Sequence, residues 1–231
     1  MNGPRWRRST FAVWPAMLVV LAGAGPTSAP DASREQEEGR VRCANLTYDR
    51  NKTSVCFADS FLRILASETG IRTDEHFHRV RLDSVQLYDF PFAVMTGEGR
   101  FELTEDQRKN LRNYLQRGGF LLASAGCSSP DWDRCFREEI RRLFPERRIK
   151  RLALSHPVFH TVFDIERLEV KKGPSGHLEG MEINGKLVLI YSQLGLNDTV
   201  NAGKGCCCCG GSEILNASAV NANILAYALT H

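Results

Sequence analysis

The sequence lacks an excess of charge of either sign once its first 30 residues are set aside. Three of the 30 basic residues, Arg5, Arg7 and Arg8, lie in that segment, which contains no acidic residue. The other basic residues balance the 27 acidic ones. A neutral body gives no electrostatic reason to expect nucleic acid or an anionic membrane as a partner.

The apolar run near the N-terminus is too short to cross a bilayer, for which a helix needs about 20 residues. It extends from about Phe11 to Leu21, and Pro15 interrupts it. It follows the three arginines and precedes Ala22-Gly23-Ala24, which fits a small-x-small cleavage site. We therefore expect residues 1–24 to be a signal peptide, the protein to be exported, and no stable membrane span to remain after cleavage.

The chain also lacks an internal repeat and any sign of a second globular unit. Residues 25–40 are rich in proline, serine and charged residues and have no apolar period, which is typical of a flexible linker. The remaining length is sufficient for one well-buried domain. We expect a single domain over residues 41–231.

Strand-like and helix-like patterns alternate along that domain. The apolar run 120–124 is continuous, as in a parallel strand covered on both faces, and Asn184-Gly185 predicts a hairpin. The alternation of strands and helices predicts an α/β fold with a mainly parallel sheet. Expected strands cover residues 41–48, 80–82, 92–96, 120–124, 178–183 and 186–191.

Four helices are expected between these strands and at the end of the chain. A helix over 57–69 stops at Gly70, and the capping box Thr104–Gln107 opens the next helix. Asp131 or Asp133 is expected to cap a third helix that runs through Phe144. The fourth helix, 218–229, is expected to be amphipathic, with Val220, Ile224 and Tyr227 on one side.

Ligands of open α/β sheets bind at the carboxyl ends of the strands, where two loops are of interest. The first is Thr96, Gly97, Glu98 and Gly99, which offers backbone amides and one carboxylate to a ligand. It lacks the lysine of a phosphate-binding loop and the wider spacing of a dinucleotide fingerprint. A tight turn that requires glycine explains the same residues.

The second loop is Gly126-Cys127-Ser128, between a buried strand and a helix. This is the placement of a nucleophile elbow, where a thiolate near a helix N-terminus is favoured. A cysteine nucleophile needs a base, and His156 and His160 are the candidates. The alternative is structural: His156-Pro157 shapes a turn, and Cys127 forms a disulfide, with Cys135 nearby in the sequence.

Eight cysteines in an exported protein are disulfide candidates before they are metal ligands. Four of them, Cys206, Cys207, Cys208 and Cys209, are consecutive. Successive side chains of extended backbone point to opposite faces, and bonds between immediate neighbours are strained, so the run suits neither zinc nor internal disulfides. We expect at least one disulfide from this run to the four other cysteines, which are Cys43, Cys56, Cys127 and Cys135.

His76 and His78 are two residues apart in a polar stretch, where a solvated loop explains them better than a metal pair. We expect no metal and no cofactor.

Several stretches, in order, resemble the bacterial domain-of-unknown-function family numbered 4159, from about Val41 to His231. The matching stretches are 88–99 (YDFPFAVMTGEG), 111–123 (LRNYLQRGGFLLA), 136–145 (FREEIRRLFP), 156–160 (HPVFH) and 226–231 (AYALTH). The resemblance implies a flavodoxin-like three-layer sandwich similar to class I glutamine amidotransferases. It also implies a bacterial source, so that export would lead to the periplasm or the medium, and association with von Willebrand A-type or MoxR-type ATPase systems.

Amidotransferases of that class have a Gly-x-Cys-x-Gly elbow and a later His-Pro-Glu. Here Ala125 precedes Gly126-Cys127-Ser128-Ser129, the second glycine is replaced by Ser129, and the glutamate is replaced by Val158. We therefore expect a non-catalytic binding or assembly module for an unknown protein or small molecule. The alternatives are a Cys127-dependent hydrolase or amidotransferase, and a metal- or redox-handling protein that uses Cys206–Cys209.

Overall fold

A computed structural model describes residues 39–49, 57–170, 175–197 and 213–231. In these residues a seven-stranded sheet has the order β2-β1-β3-β4-β7-β6-β5. The strands are β1 (Cys43–Thr47), β2 (His78–Arg81), β3 (Phe92–Gly97), β4 (Phe120–Ala125), β5 (Lys150–Arg151), β6 (Glu179–Ile183) and β7 (Lys186–Ser192). The first five strands of that order are parallel, and β6 is antiparallel to both of its neighbours. The predicted α/β class with a mainly parallel sheet is confirmed.

Helices cover both faces of the sheet. They are α1 (Ser60–Thr69), α2 (Glu105–Gln116), α3 (Pro130–Leu143) and α4 (Ala217–Thr230). Alternate residues of each central strand face opposite layers, so Ala93 and Met95 pack with α2 and α3 whereas Phe92 and Val94 pack with α1 and α4. The result is a three-layer α/β sandwich with one apolar core on each side of the sheet.

The local sequence signals account well for several element ends. The capping box is present: the Gln107 amide donates to the Thr104 hydroxyl, and the Thr104 amide donates to the Gln107 side chain. Asn184 and Gly185 both have positive φ, as the tight turn between β6 and β7 requires. Gly70 ends α1 in the left-handed conformation.

Two expectations about where the helices begin were wrong. Helix α1 begins at Ser60 rather than Phe57. Neither Asp131 nor Asp133 caps α3: Ser129 does, because its hydroxyl accepts the Trp132 amide and Pro130 takes the first helical position.

Helix α4 is also not amphipathic. It is buried on more than one side, and both Asn221 and Asn223 are at most 1% exposed. Asn223 accepts hydrogen bonds from the amides of Val162 and Phe163, so the segment after β5 packs against α4.

Strand β5 was not expected, because a strand of two residues is too short to show a periodic pattern.

In the part of the chain that the structure describes, no helix is long and apolar enough to cross a membrane. The predicted signal peptide (1–24) and almost all of the predicted linker (25–40) lie outside the described residues.

Candidate functional site

The two loops singled out from the sequence meet at the carboxyl edge of the sheet. The Gly99 amide donates a 3.0 Å hydrogen bond to the Ser129 hydroxyl, which joins the loop after β3 to the turn after β4. The two turns are also close-packed, because a Cβ built on Gly126 would lie 3.0 Å from the Gly97 carbonyl oxygen. We call this region, together with the start of the segment after β7, the carboxyl-edge site.

Gly97 is required here for packing. The Tyr48 hydroxyl donates to the Thr96 carbonyl at 2.9 Å and accepts the Trp132 indole N–H at 2.6 Å. A Cβ at Gly97 would collide with the Tyr48 hydroxyl. Burial raises the pKa of Tyr48, so the hydroxyl stays a neutral donor. The tight-turn interpretation of Gly97 and Gly99 is therefore supported, since Gly99 has a φ of +67°.

The turn after β4 has the strand–turn–helix form of an elbow. Cys127 (φ 49°, ψ 27°) and Ser128 (φ 53°) both occupy the left-handed region, which costs roughly 1–2 kcal/mol for each non-glycine residue. The Ser128 hydroxyl accepts the Gly195 amide at 3.4 Å, so the turn is also attached to the segment that follows β7. Cys127 is half-buried there.

His156 lies at the opposite end of the sheet from Cys127. Its ring is 5.5 Å from that of Tyr227, which stacks on His231 at 4.3 Å. The His231 carbonyl accepts from Lys186, the first residue of β7. Because β4 and β7 are parallel, the start of β7 is the edge remote from the turn after β4.

His156 instead shapes a turn, as the structural alternative predicted. Its Nδ1 accepts the Val158 amide at 3.2 Å and begins a short 3₁₀ turn over Pro157–Phe159. Burial lowers the pKa of this imidazole.

His160 is exposed and both of its ring nitrogens are occupied. Nδ1 contacts Asp164, and Nε2 lies 2.7 Å from the Leu154 carbonyl oxygen. The hydrogen bond to Asp164, followed by that to Leu154, raises the pKa of His160. The structure therefore brings neither candidate base to Cys127.

A row of three buried hydroxyls crosses the sheet at the carboxyl edge. Thr96 is the register partner of Ser124, and Ser124 is the partner of Ser192. All three residues are 0% exposed. Within the described residues their hydroxyl oxygens have no hydrogen-bond partner. By strand alternation they face the α1/α4 side, above Val94, Leu122 and Ile190, and successive hydroxyls stand on strands about 4.8 Å apart.

More buried polar groups surround the end of β7. The Asn221 side chain donates to the Leu196 carbonyl at 3.0 Å, while the carboxylate of Glu213 packs on Gly195. In the described part of the chain, Oδ1 of Asn197 and of Asn221 also lack a partner. Buried polar atoms are normally hydrogen-bonded, which sets this group of atoms apart among the described residues.

On the other face, an ion-pair network lies beside the same edge. Arg137 pairs with Asp133 and Glu179, at 2.7 Å each, and stacks over the Tyr191 ring at 4.9 Å. The Tyr191 hydroxyl donates to Asp133 at 2.5 Å. Sequence reasoning missed this network and the hydroxyl row, because both depend on cross-strand neighbours that local patterns do not reveal.

No disulfide joins Cys43, Cys127 and Cys135 to one another. Cys43 is 1% exposed, and burial, with a smaller effect of Asp74, raises the pKa of its thiol to about 12. Cys56 and the run Cys206–Cys209 lie outside the described residues, so the predicted disulfide to that run stays a prediction.

Among the described residues, no group of three or more histidine, cysteine, aspartate or glutamate side chains could hold a metal ion. His76 and His78 are not a pair: His76 contacts Asp59 and His78 contacts Asp74, at 2.7 Å each. His78 also begins β2 rather than lying in a loop.

Comparison with known proteins supports the resemblance read from the sequence. No curated protein matches the chain. A family model does match, over residues 40–229, which is most of the chain. The chain therefore belongs to the family described as domain of unknown function DUF4159.

Proposed function

We propose that this protein is an exported, non-catalytic binding or assembly module on a flavodoxin-like sandwich, and that its ligand binds at the carboxyl-edge site. The order β2-β1-β3-β4-β7 of the parallel strands supports the flavodoxin-like assignment, since that fold has the order 2-1-3-4-5. Ligands of such folds bind beyond the carboxyl ends of the strands, near the point where the order reverses. Thr96 and Gly97 end β3 at that point, and Glu98 and Gly99 follow it.

One observation carries the proposal: the hydroxyls of Thr96, Ser124 and Ser192 are buried side by side at the carboxyl edge of the sheet. Each hydroxyl can donate one hydrogen bond and accept others. Together they form a row of donors and acceptors, beside the amide oxygens of Asn197 and Asn221. The row carries no charge of its own, so it suits a neutral, multiply hydrogen-bonding group.

A fragment library screened by two-dimensional NMR against the full chain tests this. We expect hits that shift the amides of Gly97, Gly99 and Gly195, and loss of those hits in the triple variant Thr96→Val, Ser124→Ala, Ser192→Ala. The matched control is Thr161→Val, which removes a hydroxyl that bonds locally to Pro157 far from the edge. Hits that avoid the carboxyl edge, or that survive the triple substitution, would contradict the proposal.

The export proposal rests on the N-terminal sequence. Mass spectrometry of protein purified from a bacterial periplasm would show a new N-terminus after Ala24. An intact Met1 in correctly folded, periplasmic protein would contradict cleavage at that site.

The second candidate function is that of a Cys127-dependent hydrolase or amidotransferase. One observation favours it, the left-handed backbone at Cys127 between β4 and α3. Such geometry exposes the nucleophile in elbow-type hydrolases. The placement of His156 at the opposite end of the sheet counts against it, as do the two occupied ring nitrogens of His160. The replacement of the glycine and glutamate of glutaminases by Ser129 and Val158 also counts against it. The substitution Cys127→Ser separates the two functions: it preserves binding at the carboxyl edge in the first and abolishes turnover in the second.

A further inference from the structure

Although the body of the chain is neutral, its positive charge is concentrated at one place. Of the eleven residues from 141 to 151, six are basic and one, Glu146, is acidic. The basic residues are Arg141, Arg142, Arg147, Arg148, Lys150 and Arg151. They extend from the last turn of α3 to the edge strand β5. This is the sheet edge distant from β2, and it lies outside the carboxyl-edge site.

Arginines surround a small cavity in this region. Its volume is about 220 Å³, and its lining consists of four arginines and two isoleucines: Arg137, Arg141, Arg147, Arg148, Ile140 and Ile149. No carboxylate lines it. Ile140 is 3% exposed and belongs to the core, and Ile149 packs against that core. The cavity therefore has an apolar floor and a cationic rim.

Two of the rim arginines are uncompensated. Within the described part of the chain, neither Arg141 nor Arg148 forms an ion pair with a carboxylate, and both are exposed. Arg141 is held only by a 3.3 Å hydrogen bond from its Nε to the Arg137 carbonyl. Guanidinium groups of like charge repel one another, so such a cluster favours an anion between them.

The other two rim arginines are fixed in position. Arg137 is neutralised by Asp133 and Glu179. Arg147 donates to the Glu182 carbonyl at 2.9 Å and lies 3.7 Å from a Glu146 oxygen, while Glu146 also lies near Arg112. The hydrogen bond from one guanidinium nitrogen of Arg147 therefore fixes the orientation of its side chain. Counting these carboxylates, the rim still has a net positive charge.

We propose that this cavity binds a phosphate group, with Arg141 and Arg148 as its main ligands and Arg147 as a positioned third donor. Guanidinium groups match phosphate geometry with paired hydrogen bonds, which a compact anion such as chloride cannot use. Ile140 and Ile149 accommodate a short carbon group attached to the phosphate. Such a group can belong to a soluble phosphate monoester or to a lipid headgroup, for which Lys150 and Arg151 extend the positive edge.

NMR spectra of the arginine side chains test the proposal in the full-length protein. Glycerol 3-phosphate is titrated first, with inorganic phosphate and chloride as comparisons. We expect saturable shifts at Arg141, Arg147 and Arg148 with both phosphates and none with chloride. Because a charge-assisted hydrogen bond is typically strong, Arg141→Gln and Arg148→Gln should each weaken binding roughly tenfold. Arg79→Gln, an exposed arginine on β2, is the charge-matched control.

Vesicles distinguish the two sources of phosphate. The protein is co-sedimented with phosphatidylcholine vesicles that contain phosphatidic acid. Co-sedimentation that is lost in the Arg141→Gln/Arg148→Gln variant identifies a lipid headgroup as the ligand. Binding of glycerol 3-phosphate without co-sedimentation identifies a soluble ligand. The proposal is overturned if neither probe binds at millimolar concentration, if chloride produces the same shifts, or if Arg79→Gln weakens binding as much as the cavity variants.

Discussion

The Gly99 amide and the Ser129 hydroxyl are joined by a 3.0 Å hydrogen bond across 30 residues of sequence. The same hydroxyl caps α3, so one side chain fixes both the start of that helix and the position of the loop after β3. The carboxyl-edge site is therefore held in shape by contacts between its loops.

We predict that Ser129→Ala lowers the free energy of unfolding by about 1–2 kcal/mol, because it removes the helix cap and the partner of Gly99 together. Urea unfolding followed by circular dichroism measures this change in free energy. Ser129→Asp keeps a hydrogen-bond acceptor at the helix cap and should lower the free energy of unfolding much less. Equal stability of the alanine variant and the wild-type protein would contradict this account of the loop contact.

The buried hydroxyl row should cost the protein stability in the absence of ligand. Replacing a buried hydroxyl that lacks a partner by an apolar group is neutral or stabilising. Thr96→Val and Ser124→Ala should therefore leave the free energy of unfolding unchanged or raise it by up to about 1 kcal/mol.

Tyr48→Phe is the contrasting variant, since the Tyr48 hydroxyl makes two buried hydrogen bonds. Its loss orphans the Trp132 indole N–H and should cost about 1–3 kcal/mol. A destabilisation by Thr96→Val as large as that by Tyr48→Phe, in the same urea titration, would show that the row is internally bonded.

The pKa values of His156 and His160 should lie on opposite sides of 6.5, the ordinary value for histidine. Burial lowers the pKa of His156, and the contacts with Asp164 and then Leu154 raise that of His160. An NMR titration of the imidazole C–H signals measures both values. Asp164→Asn should lower the pKa of His160 and leave that of His156 unchanged.

The sign of the effect on stability follows from these directions. The His160–Asp164 contact stabilises the fold fully below the unfolded pKa and loses its effect as pH rises through the folded pKa. His156 acts in the opposite sense: its neutral form is favoured in the fold, so stability falls as pH drops below its unfolded pKa. A pKa for His160 at or below that of His156 would contradict both statements.

For the cysteine run, we predict at least one disulfide between Cys206–Cys209 and the four other cysteines. Peptide mapping by mass spectrometry, on protein exported to an oxidising compartment and kept unreduced, identifies the partner. Because Cys43 is buried and its thiol has a pKa of about 12, an unbonded Cys43 should react with iodoacetamide only after unfolding. Eight unmodified thiols in the native, oxidised protein would refute the predicted bond.

Sequence patterns predicted the features of this fold that depend on neighbouring residues. The capping box at Thr104, the turn at Asn184-Gly185 and the end of α1 at Gly70 each need only a few consecutive positions. The parallel sheet followed from continuous apolar runs such as residues 120–124. The loops after β3 and β4 could be predicted to lie at the same edge of the sheet, because the carboxyl ends of parallel strands lie together.

The remaining features depend on contacts between distant segments. Ser124 becomes part of a hydroxyl row only through its register with Thr96 and Ser192, which alternation within one strand cannot supply. Nothing near Asn223 indicates that the segment after β5 would cover α4. The distance of His156 from Cys127 likewise follows from the path of the chain after β5, which two strand residues do not specify.

The central claim, that this is a binding module and not a cysteine enzyme, is tested most directly by the reactivity of Cys127. The measurement is its rate of alkylation by iodoacetamide in native, reduced protein near neutral pH, read by peptide mass spectrometry. Because His156 lies at the opposite end of the sheet and both ring nitrogens of His160 are engaged elsewhere, we predict a rate no higher than that of glutathione. A rate about a hundredfold above glutathione, lost on unfolding, would show an activated nucleophile and contradict the account.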